Sequence, residues 1–248
     1  MIYKTIIDNI FALCYSWYME IINLTSKDVQ NIASNSEIIG QGSNGILYQI
    51  DDELLFKFNY KKFIDCFSLD GNSVNIRKLN DITETVQKWK EVDFILNGEA
   101  DSHYVINLKS LIDKQKNIQM THLPKGLVYV DGFCVGTIIQ YHKDYINLFE
   151  HLKNNDLSEE CVNLVSKNLS LATEELIKNN IYHRDFTLRN VMYNPNTNDV
   201  QIIDFEDAVS SLSEQDKGYE QSVKDRLKIN IETLKSSLQK ENEEKGMF

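Results

Sequence analysis

The chain has 248 residues, of which 42% are hydrophobic, so it is long and apolar enough to bury a substantial core. Its formal net charge of −11 disfavours nucleic acid as the main partner, because phosphate-backbone binding relies on clustered lysine and arginine. The four cysteines are scattered without a C-x-x-C pair, which disfavours a disulfide scaffold or a zinc site and indicates a reducing, cytoplasmic compartment.

Residues 1–35 are predicted to form an N-terminal extension that is mostly helical. Residues 1–18 are rich in apolar and aromatic side chains, but Lys4 and Asp8 interrupt them, so the stretch is too short and too charged to span a bilayer. It also lacks the basic region and the cleavage site of a signal peptide. Three interpretations stay open: a helix packed on the following domain, an upstream extension before a start at Met19, or a helix that binds a partner or an interface.

A glycine-rich stretch at residues 38–48 carries the pattern G-x-G-x-x-G between two apolar runs. Its glycines are Gly40, Gly42 and Gly45. A dinucleotide-binding turn would need a helix after the third glycine, whereas residues 46–50 are predicted as a strand. A turn and a second strand at residues 54–58, which contains Lys57, come next. This order suits phosphate binding, because glycines let backbone N–H groups approach phosphate oxygens closely.

The middle of the chain is predicted to contain helices and a hairpin. Apolar and charged residues are interspersed over residues 74–96 at spacings that indicate one or two helices. Asp131-Gly132 between two apolar runs predicts a β-hairpin of residues 126–130 and 133–141. An apolar stripe at helical spacing predicts a long helix over residues 158–180.

A polar loop follows this long helix. It reads H-R-D-F-T-L-R-N over residues 183–190 and carries Asp185 and Asn190. A short hairpin comes next, and its second strand at residues 200–203 leads into Asp204. Phosphoryl transfer from ATP needs this set of groups, because one carboxylate orients the attacking hydroxyl while an amide and a second carboxylate hold magnesium against the phosphates.

The order H-R-D-x-x-x-x-N, then D-F-x, resembles the catalytic and metal-binding loops of the protein-kinase superfamily, over about residues 36–206. The resemblance implies ATP and Mg²⁺ as cofactors. Asp185 would be the catalytic base, and Asn190 and Asp204 would ligate the metal. His183 would pack under the metal-binding aspartate.

The resemblance also assigns the nucleotide-binding residues. The glycine loop, including Ser43, would cover the phosphates, and Lys57 would bind the α- and β-phosphates. Backbone groups near Gln140 and Tyr141 would bind the adenine. A glutamate from the predicted helices would pair with Lys57. The candidates for this glutamate are Glu91, which is preferred, Glu84 and Glu99.

The implied fold is α+β and two-lobed, as in protein kinases. Residues 36–141 would form a β-rich small lobe, and residues 142–248 a truncated, helical large lobe with an amphipathic helix at residues 219–240. The stretch after Asp204 is short and lacks an A-P-E motif, which resembles minimal, bacterial-type and RIO-type kinases.

Further expectations concern side chains beside the motifs. Glu206 stands where D-F-G has its glycine, and D-F-E resembles choline-kinase and aminoglycoside-phosphotransferase relatives. Asp225 is either an anchor for the catalytic loop or a surface charge. Arg184 is expected to be held by Glu206 and Asp207, because a paired arginine costs less to bury than a lone one.

Three functions compete at this point. The favoured one is a kinase that transfers the γ-phosphoryl group of ATP to Ser or Thr of an unidentified protein. The second is a small-molecule kinase with a hydroxyl acceptor, which D-F-E favours. The third is a nucleotide-binding pseudokinase that scaffolds a partner, and the intact motifs weigh against it.

Overall fold

The computed structural model describes residues 20–41, 45–59, 103–130, 133–154, 157–210 and 217–245. Over these residues the architecture is mixed α+β, with two sheets. It divides into two compact units: one holds the described residues up to Asp113 together with Pro124–Tyr141, and the other holds Lys114–Leu123 and the described residues from His142 onward. The segment at residues 114–123, expected in the small lobe, therefore groups with the second unit.

The first unit is built on a six-stranded sheet in the order β1-β5-β6-β4-β3-β2. Its strands are β1 (Glu20–Leu24), β2 (Ile38–Gln41), β3 (Gly45–Gln49), β4 (Leu54–Asn59), β5 (Gly126–Val130) and β6 (Phe133–Gln140). Neighbouring strands are antiparallel except β1 and β5, which run parallel. The helices among its described residues are α1 (Ser26–Asn35) and α2 (His103–Lys114). The strands and the hairpin predicted at residues 126–141 are confirmed.

Residues 20–35 differ from the expected helical extension, because they begin with strand β1. Ile21 and Ile22 are β-branched, and the strand pairs with β5 from Glu20 opposite Gly126 to Leu24 opposite Val130. Helix α1 then starts at a capping box, in which Thr25 accepts from the amide of Asp28 and the Asp28 carboxylate accepts from the amide of Thr25. The strand continues the sheet, so this part of the chain belongs to the first unit.

The core of the first unit lies on one face of the sheet, under α1. Strand β4 alternates, so Phe56 and Phe58 enter this core while Lys57 points to the other face. The two phenylalanine rings pack edge to face with centroids 6.2 Å apart. The buried face thereby fixes which way Lys57 points.

The second unit is mainly helical. Its elements are β7 (Ile146–Asn147), α3 (Leu148–Asn154), α4 (Glu159–Lys178), β8 (Val191–Tyr193), β9 (Val200–Ile202) and α5 (Lys217–Lys245). Strands β7, β8 and β9 form a small antiparallel sheet. None of the helices within the described ranges is long and apolar enough to cross a membrane.

Helix α4 confirms the predicted long helix. Ser158 caps it by accepting from the amide of Cys161 at 3.2 Å. The predicted apolar stripe is buried at five of its six positions, whereas Ile177 is half-buried. The five buried residues are Val162, Val165, Leu169, Ala172 and Leu176. The helix therefore delivers the chain directly into the polar loop at residues 183–190.

Candidate functional site

The polar loop is organised around a buried histidine. His183 is 2% exposed, and its Nε2 donates to the carbonyl of Ile203 at 2.8 Å. Burial lowers the pKa of His183, and this outweighs the opposing effects of that hydrogen bond and of the charges on Asp204, Asp185 and Asp207. The imidazole is therefore neutral near neutral pH.

Asp185 and Asn190 are joined directly within the loop. The Nδ2 of Asn190 donates to the carboxylate of Asp185 at 3.1 Å and to its backbone carbonyl at 2.8 Å. The amide of Thr187 donates to the same carbonyl, and the amide of Asn190 donates to Thr187. The side-chain nitrogen of Asn190 donates to Asp185 in both contacts, and its Oδ1 accepts no hydrogen bond from the residues described. This oxygen is suited to bind a metal ion.

Asp204 follows strand β9 in an unusual backbone conformation. Its φ of 67° and ψ of 56° lie in the left-handed region, which non-glycine residues occupy rarely. The preceding residue is fixed by the loop, since the amide of Ile203 donates to the carbonyl of Asn190 at 2.9 Å and its carbonyl accepts from His183. Such strain persists only where the surroundings determine it, and it concentrates at functional sites.

The structure thus brings together Asp185, Asn190 and Asp204. No three His, Cys, Asp or Glu side chains in the described part of the chain group as metal ligands. Magnesium does not require such a group, because it binds proteins through one or two carboxylates and completes its shell with water and substrate phosphates. The Asp204 carboxylate and the Asn190 amide oxygen therefore form a fitting donor set for Mg²⁺.

The prediction that Glu206 and Asp207 hold Arg184 is wrong. Arg184 is exposed, and its guanidinium lies 5.8 Å from the ring centroid of Tyr219 on α5. Among the residues that the structure describes, no ion pair joins it to Glu206 or Asp207. Glu206 is buried and Asp207 half-buried in the short 3₁₀ turn Phe205–Asp207.

The loop is anchored from α5 by Asn230, which the sequence analysis missed. Asn230 is buried, and its Nδ2 donates to the carbonyl of Phe186 at 3.4 Å. Asp225 is exposed and accepts from Gln221 at 2.8 Å, so it is the surface charge of the two alternatives left open. The sequence does contain a signal for this anchor: Asn230 stands within the apolar stripe of the helix predicted at residues 219–240, and a buried amide needs a hydrogen-bond partner.

In the first unit, Lys57 is placed by strand register. It lies opposite Leu47 on β3 and Thr137 on β6, and it is half-buried. Gly136, also missed by the sequence analysis, permits this pairing. A Cβ atom at Gly136 would lie 2.0 Å from the carbonyl oxygen of Lys57, so strand β6 can pass β4 here only with glycine.

The structure also places four other residues of this unit that were predicted to bind the nucleotide. Gly40 lies in β2 and Gly45 starts β3, but a Cβ at Gly40 would only make ordinary contact with Leu47 at 3.4 Å. The amide of Tyr141 donates to the carbonyl of Glu53 at 2.7 Å, so the sheet already uses this donor. The carbonyl groups of Gln140 and Tyr141 remain candidates for contacts with a base.

Several predicted residues lie outside the described residues. They are Gly42 and Ser43 of the glycine loop and the three candidate glutamates Glu84, Glu91 and Glu99. The helices predicted at residues 74–96 lie outside them as well.

Comparisons with known proteins give no family for this chain: no family model matches it, and no curated protein matches it.

Proposed function

We propose that the chain is an ATP-dependent kinase that uses Mg²⁺ and transfers the γ-phosphoryl group to a hydroxyl, with Ser or Thr of a protein as the acceptor. The observation that carries the proposal is a chain of contacts: Asn190 bonds to Asp185 through its side chain and to Ile203, the neighbour of Asp204, through its backbone, and the buried His183 donates to Ile203. This geometry supports the resemblance of the loop to kinase catalytic loops. The α+β architecture is compatible with a kinase-like, two-lobed fold.

The proposed chemistry divides the roles among these residues. Asp185 orients the acceptor hydroxyl and takes its proton as the new bond from oxygen to the γ-phosphorus forms. The bond from that phosphorus to the β-phosphate oxygen breaks, and ADP leaves. Asn190 Oδ1 and the Asp204 carboxylate would hold Mg²⁺, which would supply the positive charge that neutralises the phosphates. Lys57, with the glycine loop at Gly40, Gly42, Ser43 and Gly45, binds the phosphates.

The acceptor has a second candidate. Glu206 is buried two residues after Asp204, and the D-F-E motif resembles that of small-molecule kinases. This observation favours a small alcohol as the alternative substrate. Cys134 and Cys161 form no disulfide within the described residues, which is compatible with the proposal of a cytoplasmic location.

Binding and transfer are tested separately. Thermal unfolding is measured with and without millimolar Mg-ATP, which stabilises the native state by about 2.7 kcal/mol at a hundredfold excess over Kd. Transfer of labelled γ-phosphate is then followed with the protein alone, with a proteome and with a metabolite mixture. A labelled protein band supports the protein-kinase proposal, and a labelled metabolite supports the alternative. Stabilisation without transfer to any acceptor indicates a pseudokinase, and no stabilisation refutes ATP binding.

A further inference from the structure

The segment between α2 and β5 has no role in the proposed chemistry, yet its side chains and amides contact the strand that delivers Asp204. Three side chains hold this segment by hydrogen bonds to its amides: Gln115 within the segment, and Glu175 and Gln201 from the rest of the second unit. The carboxylate of Glu175 accepts from the amides of Gln119 and Met120 at 3.0 and 2.7 Å. Gln201 accepts from the amide of His122 at 3.1 Å. Gln115 accepts from the amide of Leu123. The segment is thus a fixed support.

Thr121 makes the closest contact of this support with β9. Its side chain is fully buried, and its Oγ1 donates to the carbonyl of Ile202 at 2.9 Å and accepts from the amide of Ile202 at 3.0 Å. In an extended strand these two backbone groups point the same way, so one hydroxyl can serve both. Thr121 therefore takes the place that the backbone of a neighbouring strand would fill.

The two residues before Asp204 are held at every backbone polar group. Thr121 satisfies the amide and the carbonyl of Ile202, Asn190 accepts from the amide of Ile203, and His183 donates to its carbonyl. A single hydroxyl therefore accounts for half of these contacts. Asp204 comes next, in the left-handed conformation. Its strained backbone needs fixed neighbours, because strain relaxes where the surroundings do not determine it.

We infer that Thr121 is a positioning residue for the metal site: its hydroxyl holds the end of β9 so that the carboxylate of Asp204 presents to Mg²⁺. The inference rests on the proposed function, since it names the residue that sets the metal affinity of the same site. Groups that orient a metal ligand affect metal affinity by roughly 10–100-fold when they are removed.

The variants are Thr121→Val, which keeps the shape and removes the hydroxyl, and Thr121→Ser, which keeps the hydroxyl. The matched control is Thr173→Val, because Thr173 is equally buried in the same unit but donates to Leu169 within α4, away from the metal site. Should Thr121→Val fail to fold, Thr121→Cys, with a weakly bonding thiol, takes its place.

The measurement is the Mg²⁺ concentration for half-maximal nucleotide binding, together with hydrogen exchange at the amide of Ile202. Thr121→Val is expected to raise the Mg²⁺ midpoint about tenfold and to speed exchange at Ile202, whereas Thr121→Ser and Thr173→Val stay close to wild type. An unchanged midpoint with faster exchange would overturn the inference and leave the proposed function standing. A wild-type protein without Mg²⁺-dependent nucleotide binding would instead overturn the proposed function itself.

Discussion

Lys57 and Asp204 are positioned in contrasting ways. Lys57 lies in the middle of a regular strand, and its direction follows from the alternation of buried phenylalanines and from pairing with β3 and β6. Asp204 lies beyond the end of a three-residue strand, in a left-handed conformation, and contacts from distant parts of the chain hold its neighbours. One residue is placed by local periodicity and the other by side chains remote in sequence.

The difference shows where each region is vulnerable. In the sheet, any atom that pushes two strands apart displaces Lys57, so backbone space matters most. Around Asp204, the loss of a single polar contact leaves a buried backbone group unsatisfied, so hydrogen bonds matter most. Substitutions should therefore destabilise the sheet through steric overlap and the region around Asp204 through lost hydrogen bonds.

The largest expected effect tests the loop region through its two carboxylates. Asp185→Asn should lower phosphoryl transfer by roughly 10²–10⁴-fold while keeping Mg-ATP affinity, because a base is lost and no metal ligand is. Asp204→Asn should weaken Mg²⁺-dependent nucleotide binding as well as turnover, because it removes a ligand charge. Turnover rates and Mg-ATP titrations of both variants distinguish the two roles. Full turnover by Asp185→Asn would rule out its assignment as the base.

The next effect tests the sheet region. Gly136→Ala should lower the free energy of unfolding by about 3 kcal/mol, because its Cβ would overlap the backbone of Lys57. The matched control is Gly218→Ala in α5, where a Cβ meets nothing within 4 Å. This control should stabilise the protein by about 0.5–1 kcal/mol, since glycine is a poor helix residue. Urea unfolding of both variants provides the comparison, and equal stabilities would show that β6 can shift without loss.

A smaller effect concerns the pH dependence of the loop region. The native protein keeps His183 neutral below the ordinary histidine pKa of 6.5, whereas the unfolded chain takes up a proton there. The free energy of unfolding should therefore fall as the pH drops through 6.5, by up to about 1.4 kcal/mol per pH unit from this residue. His183→Gln should remove this contribution. Urea unfolding between pH 5 and pH 8 measures it, and parallel profiles of the two proteins would contradict it.

The smallest effect concerns the anchor on α5. Asn230→Leu should cost about 1–2 kcal/mol, because it leaves the buried carbonyl of Phe186 without its donor. Asp225→Asn, on the exposed face of the same helix, should change stability by less than about 0.5 kcal/mol. Thermal unfolding separates the two variants. Equal losses would mean that the long contact at 3.4 Å contributes nothing.

How far the sequence predicts each region follows from the same contrast. The hairpin at residues 126–141, the strand with Lys57 and helix α4 were predictable, because periodicity and turn residues act over a few neighbours. Strand β1 was not, since its parallel partner lies about a hundred residues later in the chain. Thr121 and Asn230 could not be assigned either, because nothing near them in sequence indicates which distant backbone group they contact. Arg184 was misassigned because closeness in sequence does not show that Glu206 is buried or that the Tyr219 ring lies beside the guanidinium.

Because residues 114–123 group with the second unit, the chain cannot be divided into two fragments at every loop with equal effect. A break after Tyr141 would leave this segment on the N-terminal fragment, although its hydrogen bonds go to Glu175, Gln201 and Ile202 on the C-terminal one. The C-terminal fragment would lack part of its unit, whereas the N-terminal fragment would keep all of its own unit and carry the segment without its partners. The C-terminal piece should therefore be unstable without the segment, so this position is a poor place for trimming the protein to a minimal domain.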